Sequence, residues 1–137
     1  MAGRNEVFLI VDDEPDVCWS LEHLLKRNGL LSKKALSGQE ALGLMERDRF
    51  QSIFLDAKLP DMEGLELARR IREVDPAIPI VLVSGYFYRD DVAVQDALAE
   101  GLISGFIAKP FRHDEIVKTI RILCPLRPPR GGVESLP

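Results

Sequence analysis

The stretch IFLDAKLPDMEG, residues 53–64, joins a short apolar run to a carboxylate, Asp56, and then to a proline, two acids and a glycine. A short apolar run bounded by turn-forming residues is typical of a buried parallel strand. Ligands of open parallel sheets bind beside the carboxyl ends of the strands. We therefore expect Asp56 to end a central strand and to lie, on a rigid support, at the edge of the sheet where chemistry takes place.

Apolar runs of similar length occur on both sides of this stretch and alternate with helical patterns. We predict five strands, at residues 6–11, 30–36, 51–55, 78–83 and 104–108. Right-handed crossovers between successive parallel strands place helices on both faces of the sheet. The sequence therefore predicts one α/β domain with a parallel sheet, without an internal repeat or a second core.

The intervening helices are marked by apolar residues three and four positions apart and by signals at their ends. Pro15 suits the first turn of the first helix, and Gly29 ends that helix. Ser37 followed by Glu40 is a capping box that starts the second helix. The three other helices are predicted around Leu65–Arg72, from a side-chain cap at Asp90 and Asp91 to Ala99, and around Ile116–Leu123.

The composition is that of a soluble globular protein, because 46% of the 137 residues are hydrophobic and 29% are charged. A net charge of −4 argues against nucleic-acid binding, which requires a basic surface. No apolar run approaches the roughly 20 residues of a membrane span, and the first residues lack the apolar stretch of a signal peptide. Cys18 and Cys124 lack the clustered partners of a zinc site or a disulfide scaffold, which favours a cytoplasmic protein.

Four of the predicted strands end in a polar side chain after an apolar run. The polar residues are Asp12 and Asp13 after the first strand, Asp56 after the third, Ser84 after the fourth and Lys109 after the fifth. In a parallel sheet these strand ends face the same edge. We expect the five side chains to meet there, although each one taken alone also fits a plain role as a helix cap, a turn residue or a solvated side chain.

Three carboxylates at one edge repel each other, and the ammonium of Lys109 alone does not balance them. Mg²⁺ binds through oxygen atoms, usually those of one or two carboxylates together with water and a substrate phosphate. We therefore predict a Mg²⁺ site with Asp13 and Asp56 as direct ligands. Asp12 is expected to act through water, and the backbone carbonyl of Lys58 is expected to complete the set.

The same cluster suits phosphoryl transfer, in which a metal ion and a cation neutralise the transferring oxygens. Carboxylates are known phosphoryl acceptors, since they can form an aspartyl phosphate. We therefore interpret Asp56 as the nucleophile, Lys109 as the cation that binds the phosphoryl oxygens, and Ser84 as a hydrogen-bond donor to them.

Several motifs, taken together, make the chain similar to a known family. They are VDDE at residues 11–14, Asp56 with LPDMEG at 59–64, VSG at 83–85 and FIAKPF at 106–111. On these motifs, residues 5–124 resemble the receiver domain of two-component response regulators. The resemblance implies a flavodoxin-like, doubly wound (βα)5 sheet with strand order 2-1-3-4-5 and a receiver domain over residues 1–124. Residues 125–137 lack periodicity, which predicts a flexible C-terminal tail or linker.

The resemblance also implies a phosphorelay function. A sensor histidine kinase or a histidine phosphotransfer domain would supply a phosphoryl group from a phosphohistidine to Asp56, and Lys109 would bind that group. The implied Mg²⁺ ligands are Asp12, Asp13, Asp56 and the carbonyl of Lys58. The chain would catalyse its own phosphoryl transfer and hydrolysis without being a metabolic enzyme.

Phosphorylation would act, by the same resemblance, through a change of conformation on one face. Ser84 would move toward the phosphoryl group, and Phe106 would rotate inward behind it. The face formed by the fourth helix, the fifth strand and the fifth helix would switch, and a downstream protein target or an output domain would read it. The Lys109–Pro110 peptide bond is expected to be cis.

One segment departs from the family pattern, because the interval from Ser84 to Lys109 is longer and contains the consecutive aromatics Tyr86, Phe87 and Tyr88. We expect one or two of these aromatics to be exposed and to anchor a partner. Two alternative functions stay open: an aspartate-nucleophile phosphatase of the haloacid dehalogenase type, and a phosphate-independent binding module with this fold. The chain is either a stand-alone receiver or part of a hybrid histidine kinase or a longer regulator.

Overall fold

The computed structural model describes residues 7–124, which form a five-stranded parallel sheet whose strands alternate with helices. The strands are β1 (Val7–Val11), β2 (Leu31–Ala35), β3 (Ser52–Asp56), β4 (Ile80–Ser84) and β5 (Gly105–Ala108). The helices are α1 (Pro15–Arg27), α2 (Gly38–Arg47), α3 (Gly64–Val74), α4 (Val92–Ala99) and α5 (His113–Leu123). The predicted fold class is confirmed, while Glu6 and the predicted tail at 125–137 lie outside the described residues.

The order of the strands is β2-β1-β3-β4-β5, as the family resemblance implies. The parallel register pairs Val11 with Leu55 and Asp56 with Val83. It also pairs Ser84 with the last residue of β5. The carboxyl ends of four strands are therefore level with one another, and the residues that follow these strands meet at one edge of the sheet.

The central strands are buried on both faces, because successive side chains of a strand point to opposite sides of the sheet. Leu55 and Leu82 belong to the core that includes residues of α2, α3 and α4. Phe54 and Val81 belong to the second core, which includes residues of α1 and α5. Every residue of β3 is buried, so its last residue, Asp56, is held on a rigid support.

The ends of β4 differ most from the predicted bounds. Residues 78–83 are predicted as a strand, whereas β4 begins at Ile80 and ends at Ser84. Pro79 has no N–H to donate to a neighbouring strand, which explains the late start. Its carbonyl still accepts a hydrogen bond of 3.0 Å from the N–H of Ile53. The later end places Ser84 within the sheet rather than after it.

The capping signals of the sequence are confirmed for α2 and wrong for α4. The hydroxyl of Ser37 accepts a hydrogen bond of 3.1 Å from the N–H of Glu40, and the carboxylate of Glu40 accepts one of 2.9 Å from the N–H of Leu36. Asp91 precedes α4 but makes no side-chain cap. Its carboxylate instead accepts a hydrogen bond of 2.9 Å from the N–H of Tyr88, so it stabilises the loop before the helix.

The helices are short and pack with one side on the sheet. The longest described helix, α1, has 13 residues. A membrane-spanning helix needs about 20 predominantly apolar residues. Within residues 7–124, no helix is both long enough and apolar enough to span a membrane.

Candidate functional site

An acidic cluster lies at the carboxyl edge of the sheet. One carboxylate oxygen each of Asp12, Asp13 and Asp56 lies within 4.8 Å of the others, and such a group can hold a metal ion. Asp12 and Asp56 are buried, whereas Asp13 is exposed. The structure therefore brings together the three carboxylates that the sequence places after β1 and at the end of β3.

The ammonium of Lys109 lies against this cluster. Its Nζ is 2.9 Å from Oδ2 of Asp12, 2.8 Å from Oε1 of Glu14 and 3.5 Å from Oδ1 of Asp56. Burial acts to lower the pKa of Lys109, but its hydrogen bonds to Glu14 and Asp12 outweigh burial and raise the pKa above its ordinary value. The ammonium is therefore charged throughout the neutral range. Lys109 directly follows β5, and the Lys109–Pro110 peptide bond is cis, as expected.

The carboxyl group of Asp56 is held in an unfavourable environment for its charge. Burial, and then the negative charge of Asp12, raise its pKa from 3.8 to about 6, although Lys109 and the N–H of Lys58 act in the opposite direction. Burial also raises the pKa of Asp12, against the N–H of Glu14 and the ammonium of Lys109. A cation at this cluster would therefore stabilise the ionised form of Asp56.

The turn after β3 is fixed at both of its ends. The N–H of Gly64 donates a hydrogen bond of 2.7 Å to the carbonyl of Ala57, and this close approach leaves no room for a side chain at position 64. Asp61 accepts hydrogen bonds of 2.8 and 2.9 Å from the N–H groups of Gly38 and Gln39 at the start of α2. Asp61 thus connects the turn that follows Asp56 to the start of α2.

A cleft of about 880 Å³ opens above the acidic cluster. One wall contains Lys58 and Tyr86, and the ammonium of Lys58 lies 4.0 Å from the centre of the Tyr86 ring. The same ammonium is 3.0 Å from a carboxylate oxygen of Glu63, which holds it in place. Tyr86 and Tyr88 are exposed, while Phe87 packs against the core, so the three aromatics do not all face inward.

Ser84 and Phe106 lie beside the cluster on β4 and β5. The hydroxyl of Ser84 accepts hydrogen bonds of 2.8 and 3.0 Å from the N–H groups of Tyr86 and Phe87, so it stabilises the loop after β4. Phe106 is 3% exposed, and its ring therefore already lies inside the protein in this structure. The guanidinium of Arg89 donates a hydrogen bond of 2.9 Å to the carbonyl of Phe106 and lies 5.6 Å from the centre of its ring.

Three residues that contact the site or support its turns are not predicted from the sequence. Glu14 binds Lys109, Asp61 binds the start of α2, and Arg89 binds Phe106. Glu14 is the last residue of the VDDE motif and Asp61 belongs to the LPDMEG motif, so both lie within recognised motifs. Their partners lie 95 and 23 positions away, however, and no local pattern predicts such contacts.

Comparisons with known proteins match this chain to receiver domains of response regulators. A statistical model of the response regulator receiver domain matches residues 8–121. The sporulation initiation phosphotransferase F of Bacillus subtilis is 31% identical over 123 residues, which are 90% of this chain and 97% of that protein. The crystal structure of a CheY-like receiver domain protein from Methanospirillum hungatei superposes with a TM-score of 0.80 at 26% identity, covering 89% of this chain and 96% of that one.

Other relatives are longer than this chain. The response regulator MprA of Mycobacterium leprae is 33% identical over 128 residues, which are 93% of this chain but 55% of that protein. The chain therefore spans about half the length of such regulators and nearly all of the sporulation phosphotransferase.

Proposed function

The chain belongs to the response regulator receiver domain family, and from this premise we propose that it is a phosphorelay receiver that accepts a phosphoryl group from a phosphohistidine onto Asp56. The arrangement of charges around Asp56 supports this role best. Its carboxylate lies with Asp12 and Asp13 in one cluster and 3.5 Å from the ammonium of Lys109. A buried carboxylate beside both a potential metal site and a fixed cation is suited to receive a phosphoryl group.

The donor set at the cluster fits Mg²⁺. Three carboxylates provide the hard oxygen ligands that this ion prefers. Burial, and then the negative charge of Asp12, raise the pKa of Asp56, and a cation at the cluster would offset both effects. In the proposed site Asp13, Asp56 and the carbonyl of Lys58 are direct ligands. Asp12, whose carboxylate is already bound by Lys109 and by the N–H of Glu14, acts through water. When bound, Mg²⁺ supplies positive charge to the phosphoryl oxygens.

The proposed reaction is an exchange of bonds at phosphorus. An oxygen of Asp56 forms a bond to phosphorus while the bond to the histidine nitrogen of the donor breaks, and the imidazole leaves with the electron pair. Lys109 binds the phosphoryl oxygens, and Ser84 gives up its loop contacts to donate a hydrogen bond to them. In the proposed hydrolysis, water attacks phosphorus and Asp56 leaves as a free carboxylate.

The proposed signal is a change in the face formed by α4, β5 and α5. Movement of the Ser84 hydroxyl would remove its contacts with the N–H groups of Tyr86 and Phe87 and release the loop before α4. Phe106 is the proposed switch residue, and Arg89 links its carbonyl and ring to that loop. A modification adds about −1.5 to −2 charge, which is sufficient to favour one of two packings that differ by a few kcal/mol.

The proposed partners are a sensor histidine kinase or a histidine phosphotransfer domain, and a downstream protein target or output domain. The exposed side chains of Tyr86 and Tyr88 stand at the mouth of the cleft and in the following loop, and they offer a proposed anchor for a partner. A cytoplasmic location is proposed because histidine kinases present their phosphohistidine there.

Incubation with acetyl phosphate and Mg²⁺ tests the proposed function. We expect the intact mass of the protein to increase by one phosphoryl group, and we expect Asp56→Asn or removal of Mg²⁺ with a chelator to abolish the increase. Asp48→Asn is a matched control, because Asp48 forms a surface ion pair with Lys33. Absence of labelling in the wild-type protein would reject the proposal and favour a phosphate-independent binding module.

The lifetime of the phosphoryl group is expected to depend on Lys58. The ammonium of Lys58 holds the Tyr86 ring over one wall of the cleft, so Lys58→Ala should open the cleft to water. We expect hydrolysis of the phosphorylated protein to become several-fold faster in this variant. Lys33→Ala, which removes an exposed lysine of a surface ion pair, should leave the rate unchanged. Loss of radiolabel from the phosphorylated protein measures the decay. Equal decay rates in wild type and Lys58→Ala would contradict the prediction.

A further inference from the structure

We propose that Glu14 is a positioning residue that holds the ammonium of Lys109 in the resting protein and yields it to the phosphoryl group on Asp56. The inference rests on the proposed function, because the carboxylate of Glu14 and the phosphoryl group on Asp56 would compete for the ammonium of Lys109. Glu14 would thereby weaken the binding of any phosphoryl group or phosphoryl analogue at this site.

The contacts of Lys109 show where its ammonium is held. Its two short contacts, of 2.8 and 2.9 Å, are to Glu14 and Asp12, and the distance to Asp56 is longer, at 3.5 Å. The ammonium therefore lies nearer to the side of the cluster formed after β1 than to the proposed nucleophile. The ammonium must therefore move from Glu14 toward Asp56 before it can bind phosphoryl oxygens on Asp56.

Glu14 is the partner that can be displaced most easily. The side chain of Asp12 is 3% exposed, and its other carboxylate oxygen accepts a hydrogen bond of 2.9 Å from the N–H of Glu14. The side chain of Glu14 is 59% exposed. Water can therefore replace the lost contact of Glu14 at little cost, whereas the carboxylate of Asp12 would be left buried without its cation.

The position of Glu14 in the fold provides a second observation. Glu14 is the residue that precedes α1, and its side chain makes no cap at the start of that helix. The N–H of Glu14 donates a hydrogen bond to the carboxylate of Asp12, and the carboxylate of Glu14 accepts one from the ammonium of Lys109. The side chain therefore makes no hydrogen bond to the start of the helix, and its described hydrogen bond is the one to the cation of the site.

The test measures how tightly the protein binds beryllofluoride, an analogue of the phosphoryl group, in the presence of Mg²⁺. We expect Glu14→Gln to bind beryllofluoride roughly two- to fivefold more tightly than wild type, the range that exposed ion pairs span. Glu14→Asp should shift the affinity in the same direction, because its shorter side chain falls short of Lys109 while keeping the charge. Glu22→Gln, which removes a carboxylate from the helix that follows Glu14, is the control and should leave the affinity unchanged.

A double-mutant cycle separates the ion pair from a general effect of charge. In a Lys109→Met background, Glu14→Gln should no longer strengthen binding, because the competition for the ammonium is absent. The same gain in both backgrounds would overturn the inference. So would a tenfold or greater loss of Mg²⁺ affinity in Glu14→Gln, because that loss would identify Glu14 as a metal ligand.

The outcomes also distinguish this inference from the proposed function. If wild type neither binds beryllofluoride nor accepts label from acetyl phosphate, the proposed function fails. If wild type does both and Glu14→Gln binds beryllofluoride as wild type does, only the role of Glu14 fails. Thermal unfolding of each variant checks that the compared proteins are folded.

Discussion

Replacement of Gly64 by alanine is expected to lower the free energy of unfolding by about 2–4 kcal/mol. A Cβ atom at this position would overlap the backbone carbonyl oxygen of Asp56 and would lie 2.8 Å from the Cα of Ala57. Both neighbours are backbone atoms, so no side-chain rotation can relieve the overlap. The turn must therefore shift as a whole, and the shift displaces the end of β3 that presents Asp56.

Gly43 provides a matched control for this prediction. It lies within α2, and a Cβ atom added there would meet no atom within 4 Å. Alanine in place of glycine inside a helix stabilises by roughly 0.5–1 kcal/mol, so Gly43→Ala should be at least as stable as wild type. Urea unfolding of the three proteins measures the difference. The explanation would be wrong if Gly64→Ala unfolded at the same urea concentration as Gly43→Ala.

Asp56→Asn is expected to be more stable than wild type at pH 7 in the absence of metal ions, by about 2 kcal/mol. Burial and the charge of Asp12 raise the pKa of Asp56 from 3.8 to about 6 in the folded protein. Keeping this carboxyl group ionised at neutral pH therefore costs stability. Asparagine has a similar shape and carries no charge, so it removes that cost.

The same shift in the pKa of Asp56 sets the dependence on pH. Between about pH 4 and pH 6 the folded protein binds more protons than the unfolded chain, because its pKa is the higher one. Stability contributed by the neutral carboxyl group is thus fully present below pH 4 and is lost as the pH rises through 6. The difference between Asp56→Asn and wild type should be small at pH 4 and complete at pH 7.

Chemical denaturation at a series of pH values, without and with Mg²⁺, measures both effects. Mg²⁺ should stabilise wild type more than Asp56→Asn, since a ligand that binds the folded state raises the free energy of unfolding. Asp48→Asn removes a surface carboxylate and should show neither the gain at pH 7 nor the dependence on Mg²⁺. A variant Asp56→Asn that is less stable than wild type at pH 7 would disprove the argument from burial.

The sequence by itself determined the order of the elements and the edge of the sheet at which the polar residues lie. Apolar runs and helical periods depend on neighbouring residues, so they predict strands and helices locally. The capping box of Ser37 and Glu40 is equally local, and the structure contains it. Parallel pairing then implies that Asp12, Asp56 and Lys109 share one edge, because each follows or ends a strand.

Only the tertiary structure decided which of these charges pair and how strongly each is buried. Glu14 binds Lys109 across 95 positions of the chain, and the cation–ring contact of Lys58 joins the turns after β3 and β4. Such contacts depend on register and on the paths of loops, which local patterns do not encode. The raised pKa of Asp56 likewise follows from burial by other elements. The physical reason is that electrostatic energies depend on distance and on access to water, and both are properties of the folded chain.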